Sequence, residues 1–501
     1  MSRTTAELGI AEELAAVRPR TLDGYLAALP GARAAVLARL WRGLVHEPLP
    51  WVTGREAGRD GVTLRLADGR RLRGPHVDPW ATGTAVPALE LGGVPHDRPA
   101  ELLTALAVPG GAGYAVELDH SVASLALSRT ARRPAGPPAA PWEWEQLSTD
   151  GHPYHPGCRS RPGFSAAEQL AYAPEHRPVV PLRLTPVVGG PVRGEWPAEL
   201  RDGDAVLVPV HPWQAAHVLA ARTFRPGPDA HPLLSLRTLD LGDGRHVKTA
   251  LSARLTSAVR DISAYSIDHA LATSETLRRV ADSDRLAGRL HIAGTLAAAG
   301  DGTPELAAML RESPHVHADA DAGERVVPVA ALPALLAPYP PRARLDRVVG
   351  FARLAVGVCL DLLETGVALE AHGQNLLAVV DAAGWARRLV YRDLADIRVS
   401  PARLARHGFP PPRLTGRLLD DDPAALRRKA LGCLVAGALG PLAGDAATLG
   451  TALAAATEGR APTADLRALR AEPLPAKALT LMRLEPGGAV RWAWLPNPLA
   501  G

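Results

Sequence analysis

The sequence predicts a globular α+β protein in which helices alternate with antiparallel hairpins. Several stretches repeat apolar residues at three- and four-residue spacing, the pattern of amphipathic helices. Others pair two β-prone runs around a short turn, the pattern of hairpins. The chain has 501 residues and is 47% hydrophobic, which is enough for roughly two to four domains with large cores.

Composition excludes several classes of function. Basic and acidic residues nearly balance, 56 against 52, and no basic block suits a nucleic acid, so anionic small ligands fit better. Cys158, Cys359 and Cys433 are too scattered for a disulfide framework or a cysteine zinc site, which favours the cytoplasm. Residues 1–17 lack the apolar segment of a signal peptide. We expect buried helices and no membrane span in the apolar stretch 431–457.

The first 150 residues carry no chemical motif. Helical spacing occurs in residues 11–17, 22–29, 32–45 and 102–127, the last broken at Pro109-Gly-Gly. Residues 62–72 predict a hairpin about Asp68-Gly69. The Pro- and Arg-rich stretch 129–141 has the composition of a linker. We therefore predict a domain boundary near residue 150.

Two His-Pro dipeptides follow this boundary, at His152 and His155, with Arg159 close behind. Proline disfavours the helical region for the residue before it, so we expect an extended loop. Two histidines without a third ligand favour anion contact or structural hydrogen bonding over a zinc site. A third His-Pro, at His211, ends the buried-strand run 205–210.

The clearest hairpin spans residues 233–257. A two-residue turn at Asp243-Gly244 would place Lys248 opposite Leu239. One face would present a cationic, hydroxyl-bearing surface for a polyphosphate, and the other would be core. The first face comprises Ser235, Arg237 and Lys248, and the second comprises Val247, Leu251 and Leu255. The alternative is an ordinary solvated strand face.

Two hydroxyls and a guanidinium follow this hairpin, at Thr256, Ser257 and Arg260. They are available for a carboxylate. A straight strand separates Lys248 from Thr256 by roughly 26 Å. Those two residues would therefore serve different ends of a long ligand unless the strand bends.

The densest group of polar side chains lies in residues 369–398. An amphipathic helix over 344–365, ended by Gly366, leads into it. Within it, the runs 376–380 and 389–391 predict a hairpin that places Asn375 nearly opposite Asp393. With Glu370 upstream, these oxygens suit Mg²⁺ beside nucleotide phosphates. The alternative is that Asn375 and Asp393 only end a turn and that His372 is a core histidine.

Residue rarity supports the functional interpretation. The chain has two asparagines, Asn375 and Asn497, and three lysines, Lys248, Lys429 and Lys477, among 56 basic residues. Arg and Lys differ in shape and donor geometry, so a chain that uses Arg almost everywhere should keep Lys where Arg does not serve. Lys477 lies in a predicted strand over 475–484. No Walker A, GxGxxG, HExxH or GxSxG motif occurs, which excludes the common nucleotide-binding and hydrolase motifs.

Five motifs, in order, resemble the IucA/IucC-type siderophore synthetases, the class independent of nonribosomal peptide synthetases. The first is GHPYHP, followed by two arginines and GF, and the second is VPVHPWQ. The third is SLRTL, which continues to RHVKTALS and LTSAVR. The fourth is EAHGQN with an RD downstream, the fifth is PAKAL with MRL, and together they span about 151 to 484. The resemblance implies a cupped hand of thumb, fingers and palm, here residues 1–150, 151–312 and 313–501. It implies a cytoplasmic ligase that uses ATP to adenylate a carboxylate and passes it to an amine, hydroxylamine or alcohol. It leaves a homodimer open.

The resemblance also implies residue roles. ATP and Mg²⁺ would be held by Ser235, Arg237, Thr238, Lys248, Arg260, His372, Asn375 and Asp393, with Glu370 joining the metal. The carboxylate substrate would be held by His155, Arg159, Thr256, Ser257, Arg260, His372, Gln374 and Lys477. Lys248, Arg260 and His372 would act on the transition state. The predicted register puts Thr238 on the opposite face from Lys248. Arg159 stands where the family usually has Lys, and the two are not isosteric.

The substrate and two other classes of function stay open. Two cations, Arg260 and Lys477, suit a substrate with more than one carboxylate, so citrate is favoured and a shorter dicarboxylate or its monoamide comes second. A catalytically degenerate ATP- or citrate-binding protein would keep the fold without turnover. A phosphotransferase is also open, because an Asn and an Asp that hold Mg²⁺ occur in kinases. The products, AMP and pyrophosphate or ADP, distinguish these classes.

Overall fold

The structure is a computed structural model that describes residues 4–132, 136–255 and 258–500. Its N-terminal part packs helices against an antiparallel five-stranded sheet, as the helical spacing and the hairpin about Gly69 predict. The helices are Thr5–Val17, Pro19–His46, Pro99–Leu106 and Gly111–Ser128. The strands are Val52–Gly58, Gly61–Leu66, Arg71–Gly74, Leu89–Leu91 and Val94–His96. The first helix begins with a capping box between Thr4 and Glu7.

The middle of the chain builds an antiparallel nine-stranded sheet. From one edge to the other, its strands are Val192–Gly194, Thr295–Gly300, Ala307–Glu312, Arg245–Thr249, Thr238–Asp240, Arg225–Pro232, Val180–Val188, Ala205–Val210 and Arg201–Asp202. The strands Leu251–Leu255 and Ala258–Arg260 form a separate hairpin. Three helices flank these strands: Ala166–Tyr172, Pro212–His217 and Ala264–Ala281.

The last part of the chain combines a four-stranded sheet with a group of helices. The strand order is Leu290–Ile292, Ala386–Tyr391, Leu376–Val380 and Arg325–Pro328, with only the first pair parallel. Two strand pairs stand apart: Val367–Ala368 with Arg398–Val399, and Leu474–Lys477 with Trp492–Leu495. The α-helices are Leu332–Leu336, Pro341–Thr365, Pro401–Arg406, Pro423–Leu431, Gly440–Ala443, Ala446–Thr457, Ala464–Ala471 and Leu479–Leu484, and Gly432–Leu439 is a π-helix.

Three large groups of buried apolar residues hold these parts together. One joins the N-terminal helices and sheet, one lies under the nine-stranded sheet, and one joins the four-stranded sheet to its helices. The first group also takes in Ala478, Leu481 and Leu484 from the far end of the chain. The predicted boundaries at residues 150 and 312 stay predictions. Among the described residues, no helix combines the length and apolar character needed to cross a bilayer.

The predicted strand over residues 475–484 is wrong in its second half. Strand pairing stops at Lys477, and Leu479–Leu484 is a helix. A short apolar run does not distinguish a buried strand from a buried helix by periodicity alone. A long-range contact favours the helix here, because the Glu47 carboxylate accepts hydrogen bonds from the backbone N–H groups of Thr480, at 3.0 Å, and Leu481, at 2.7 Å.

Candidate active site

An open cavity of about 1920 Å³ lies where the nine-stranded sheet, the 370–374 loop and the C-terminal strand pair meet. Residues that the sequence singled out supply much of its polar lining. They are His155, Arg159, Arg237, Lys248, Arg260, Glu370, His372, Gln374, Asp393 and Lys477. Thr256 and Ser257 lie outside the described residues. The structure therefore brings residues far apart in the chain to one chamber.

The hairpin that carries Lys248 has a different register from the predicted one. Lys248 lies opposite Thr238, and Val247 lies opposite Leu239. The turn is longer by one residue, because Gly242 and Gly244 both adopt positive φ, of 76° and 85°. One residue of slip moves a side chain to the other face. Thr238 therefore shares the face of Lys248, and its predicted place on the opposite face is wrong.

The start of this hairpin also differs from a regular strand. Leu236 has a φ of 66°, and the Ser235 hydroxyl accepts a hydrogen bond from the backbone N–H of Thr238 at 3.1 Å. Ser235 is thus a turn residue, and Arg237 precedes the paired strand, so the predicted strand face shared by Ser235, Arg237 and Lys248 is wrong. The Arg237 side chain still reaches the cavity. Val247 and Leu251 are fully buried, as the predicted core face requires.

The chain bends beyond Lys248, as one of the two sequence alternatives required. It leaves the nine-stranded sheet after Thr249 and forms the short hairpin in which Arg260 lies opposite Leu251. The Arg237 guanidinium donates hydrogen bonds to the backbone carbonyls of Arg260 and Asp261. Burial lowers the pKa of Arg237 to about 9. A partly buried cation held mainly by carbonyls is suited to an anionic ligand.

Asp393 joins the nine-stranded sheet to the four-stranded sheet through two cations. The Lys248 ammonium donates to both Asp393 carboxylate oxygens, at 2.8 and 3.0 Å, and Arg311 donates to Oδ1 at 3.0 Å. Burial acts to raise the pKa of Asp393, but the Arg311 and Lys248 charges outweigh it and hold the pKa well below its usual value. Burial and the nearby Arg311 lower the pKa of Lys248 to about 7. Asp393 itself has a φ of 65°, a strained conformation of the kind found at functional sites.

The predicted hairpin about residues 381–385 is confirmed. Leu376 lies opposite Tyr391, and the Arg392 N–H donates to the Asn375 carbonyl at 3.1 Å, so Asn375 comes one residue from facing Asp393. The Asn375 amide lies 3.3 Å from His372 Nε2 and donates to the Glu370 carbonyl at 3.4 Å. Burial lowers the pKa of His372 to about 4, so its imidazole is neutral at pH 7.

A buried ion pair fixes the loop that carries Gln374. Arg392 makes a bidentate contact with Glu145, at 2.5 and 2.7 Å, and also donates to the Gln374 carbonyl at 2.9 and 3.2 Å. Both side chains are buried. The arginine of the RD motif therefore positions the loop, and the aspartate faces the cavity. Glu145 carried no sequence signal, because its partner is 247 residues away.

Two lysines balance the negative charge of Glu370. Its Oε1 accepts hydrogen bonds from Lys477 at 2.6 Å and from Lys429 at 3.0 Å, and Lys429 also donates to Asp396 at 2.7 Å. Burial acts to raise the pKa of Glu370, but the two lysine charges hold it far below its usual value. Sequence reasoning marked Lys429 as rare but gave it no role. The metal role of Glu370 stays a prediction, because both lysines already bond its Oε1.

The loop of His-Pro dipeptides is not helical, as predicted, and brings two histidines to the cavity. Burial lowers the pKa of His155 to about 3. Its Nδ1 accepts from the Gly157 N–H at 3.0 Å, and its buried Nε2 has no hydrogen-bond partner among the described residues. A buried nitrogen that faces a cavity without a partner suits a ligand contact.

Arg159 serves the protein's own groups in this structure. Its guanidinium donates to the carbonyls of Ser148 and Thr149 and lies 3.5 Å from Glu175. Arg161 makes a bidentate contact with the same Glu175. The departure from Lys at this position therefore coincides with a structural contact, and its substrate-binding role stays a prediction.

Comparison with known proteins finds sequence relatives of this chain. The sequence model described as the IucA / IucC family matches residues 140–334, and a model described as ferric iron reductase FhuF-like transporter matches residues 350–456. The rhizobactin siderophore biosynthesis protein RhbC of Rhizobium meliloti is 28% identical over 321 residues, which cover 50% of this chain and 53% of RhbC. This chain is therefore similar to the IucA/IucC family over its middle part. Its matches span between 32% and 58% of the curated relatives' own lengths.

Solved structures share this fold along nearly the whole chain. The petrobactin biosynthesis protein AsbB from Bacillus anthracis superposes with a TM-score of 0.77 at 18% identity and covers 96% of this chain and 98% of its own. ATP-bound aerobactin synthetase IucA from Klebsiella pneumoniae gives a TM-score of 0.71 at 18% identity, with 93% and 99% covered. At such identities the likeness shows the fold, and the predicted α+β class is confirmed.

Proposed function

We propose that the protein is an ATP-dependent ligase of siderophore biosynthesis. It would adenylate a polycarboxylate, with citrate favoured, and pass the acyl group to an amine, hydroxylamine or alcohol. The observation that carries the proposal is one cavity lined by two charged groups. Lys248, Arg237 and Asp393 make a group suited to a polyphosphate with its metal. Glu370 with Lys477 makes a second group in the same cavity, which Arg260 also lines.

The nucleotide group uses one buried cation, Lys248, and one partly buried cation, Arg237. Lys248 and Arg237 would meet the triphosphate, since ammonium and guanidinium groups bind phosphate oxygens strongly when desolvated. Asp393 and Asn375 offer the oxygen donors that suit Mg²⁺, which would neutralise phosphate charge when bound. Asp393 also keeps Lys248 in place through its two hydrogen bonds.

The carboxylate group would hold an anionic substrate beside the α-phosphate. Lys477 and Arg260 supply positive charge, and His155 Nε2 and neutral His372 supply polar contacts that do not add charge. The substrate carboxylate oxygen would attack the α-phosphorus, and pyrophosphate would leave. The nucleophile would then attack the acyl carbon, and AMP would leave. Positioning and charge stabilisation account for this chemistry without a covalent intermediate on the protein.

Labelled pyrophosphate exchange tests this function directly. With MgATP and a panel of citrate, succinate, 2-oxoglutarate and their monoamides, we expect exchange into ATP with only one or two of the acids. Added hydroxylamine should trap a hydroxamate as AMP is released. Asp393→Ala should abolish exchange, because the anion that orients Lys248 and serves Mg²⁺ is lost.

The other outcomes identify the alternatives. Failure of every acid, with ATP still bound, would favour a degenerate binding protein. Formation of ADP in place of AMP would favour a phosphotransferase. Exchange at the wild-type rate by Asp393→Ala would remove Asp393 from the mechanism.

A further inference from the structure

A second cluster of polar side chains lies at the turn end of the Lys248 hairpin. Asp240 and His246 face each other across the hairpin, and His315 comes from the turn Pro314–His317 that follows the neighbouring strand. That neighbouring strand pairs with the Arg245–Thr249 strand, so two adjacent strands and the turn after a third supply the three side chains. Among the described residues, this is the group of His and Asp side chains with metal-ligand proximity.

The three side chains converge on one point. One carboxylate oxygen of Asp240 and one ring nitrogen of each histidine lie within 4.8 Å of one another. Asp240 Oδ2 is 2.9 Å from His246 Nε2, and Asp240 Oδ1 is held by the Gly242 N–H at 2.7 Å. The Ser313 hydroxyl lies 3.2 Å from His246 Nε2. The backbone thus orients the carboxylate and leaves its second oxygen for the cluster.

Hydrogen bonds within the cluster leave one of its ring nitrogens without a partner. His315 Nε2 is buried and has no hydrogen-bond partner among the described residues. A buried unpaired nitrogen is unfavourable, and such groups in native proteins usually have water or an ion as partner. Neutral imidazole is the form that binds metal ions.

We propose that Asp240, His246 and His315 bind a divalent transition-metal ion, with Zn²⁺ the best fit. Two imidazoles and a carboxylate are a usual ligand set for such ions, and a fourth position stays open to water. Tetrahedral zinc with these ligands needs ligand atoms roughly 3.3 Å apart. The Asp240–His246 contact at 2.9 Å needs only a small opening, and the His315 nitrogen lies within 4.8 Å of both other ligand atoms.

The ion would tie a loop to the hairpin that carries Lys248. His246 is two residues from Lys248 on the same strand face, and the Ser313 N–H already donates to the Gly244 carbonyl at 2.9 Å. A bound ion would add a cross-link between the turn Pro314–His317 and this hairpin. Its role would be structural, because Lys248 and not the cluster lines the cavity.

Metal binding by the chelator-treated full-length protein tests the proposal. Titration with Zn²⁺, and with Co²⁺ followed by its visible absorption, should show one equivalent in a tetrahedral site at micromolar metal. His315→Ala and Asp240→Asn should each weaken binding by at least about tenfold. His317→Ala is the matched control, because His317 is on the same turn but pairs with Glu312 and stacks on His291.

Two further variants separate this site from the cavity. His155→Ala and Lys248→Ala should bind the metal as the wild type does, so the result does not depend on the proposed ligase activity. The proposal is overturned if the wild type binds no stoichiometric metal, or if Asp240→Asn and His315→Ala bind it with wild-type affinity. Loss of binding in His155→Ala alone would assign the metal to the His-Pro loop instead. Asp240→Asn preserves side-chain shape and keeps the test open if His315→Ala fails to fold.

Discussion

At the scale of single residues, the three lysines are the most informative feature of this arginine-rich chain. Lys248 pairs with Asp393, Lys477 pairs with Glu370, and Lys429 pairs with Glu370 and Asp396. Every lysine therefore contacts an acidic residue that lines the cavity. Rarity pointed to all three, because a compact ammonium fits where a planar guanidinium does not.

Nucleotide affinity should depend on pH through Lys248. Its pKa is lowered to about 7 by burial and by Arg311, so the ammonium loses its proton as pH rises through neutrality. Only the charged form attracts phosphate strongly, and we therefore expect MgATP affinity to be higher at pH 6 than at pH 9. Calorimetric titration across that range measures the change. Lys248→Ala should bind MgATP more weakly by at least about 2 kcal/mol and without this pH dependence.

A variant on the same hairpin controls for charge alone. Arg245→Ala removes a more exposed cation that pairs with Asp243 and Glu199, so it should leave both the affinity and its pH profile unchanged. A flat wild-type profile, or an equal change in Arg245→Ala, would contradict the role of Lys248.

Sequence patterns predicted the site residues that lie in local motifs and did not predict those whose role depends on distant partners. Asp393, Asn375, His372 and Lys477 stand in local motifs that a single stretch of sequence reveals. Arg311 and Glu145 act only through partners 82 and 247 residues away, and neither lies in a distinctive local pattern. Contacts of that kind appear only when the chain is folded.

At the scale of elements, local turn geometry decided where the sequence prediction succeeded. The turn over 381–385 was predicted correctly because Asp381 accepts hydrogen bonds from the backbone of Ala383 and Trp385, a common turn arrangement. The turn at Gly242 and Gly244 was predicted one residue too short. Two glycines near an Asp permit more than one turn length, and the choice sets every side chain's face.

A π-helix beside the site is an element that the sequence did not predict. Gly432–Leu439 follows Pro423–Leu431 directly, and the Gly437 carbonyl accepts from the Gly373 N–H at 2.9 Å. A Cβ at Gly437 would lie 2.7 Å from His372 Cβ. Such irregular turns often occur at functional sites. Here the missing side chain allows the His372 loop to approach the helix.

Glu145→Gln should destabilise the protein by about 3–5 kcal/mol. The substitution leaves the buried Arg392 guanidinium without its counter-charge, and breaking one partner of a buried ion pair costs this much. The midpoint of urea-induced unfolding measures the loss. Glu199→Gln, in an exposed pair with Arg245, should cost about 0–1 kcal/mol. Equal midpoints for the two variants would show that the Glu145–Arg392 pair does not hold the loop.

At the scale of the whole molecule, the N-terminal core packs against a helix that lies next to the site. Leu479–Leu484 packs into the N-terminal apolar core, and Glu117 pairs with Arg483 across that contact. Lys477 lies two residues before this helix and lines the cavity. Hydrophobic patterns predicted both partners but not their contact, since nothing local in either stretch specifies the other. The N-terminal part therefore helps to position Lys477, although it carries no chemical motif of its own.

Glu47 should control substrate affinity from a distance. Its buried carboxylate accepts the N–H groups of Thr480 and Leu481 at the start of the Leu479–Leu484 helix, which is the contact of a helix cap. Loss of a capping group costs about 0.5–2 kcal/mol. Glu47→Ala should let the helix start and Lys477 move, so the KM for the carboxylate should rise by roughly two- to thirtyfold while the KM for ATP stays near wild type.

Steady-state kinetics of the pyrophosphate exchange measure this split, and Asp445→Ala is the matched control. Asp445 caps Ala446–Thr457 through the Thr448 N–H at 2.7 Å, and that helix carries none of the predicted site residues. Both variants lose a cap and should lose similar stability, but only Glu47→Ala should change the KM for the carboxylate. Glu47→Gln keeps one carbonyl acceptor and should lie between Glu47→Ala and the wild type. If Glu47→Ala loses stability as Asp445→Ala does but keeps its KM, the N-terminal core supports the fold without positioning Lys477.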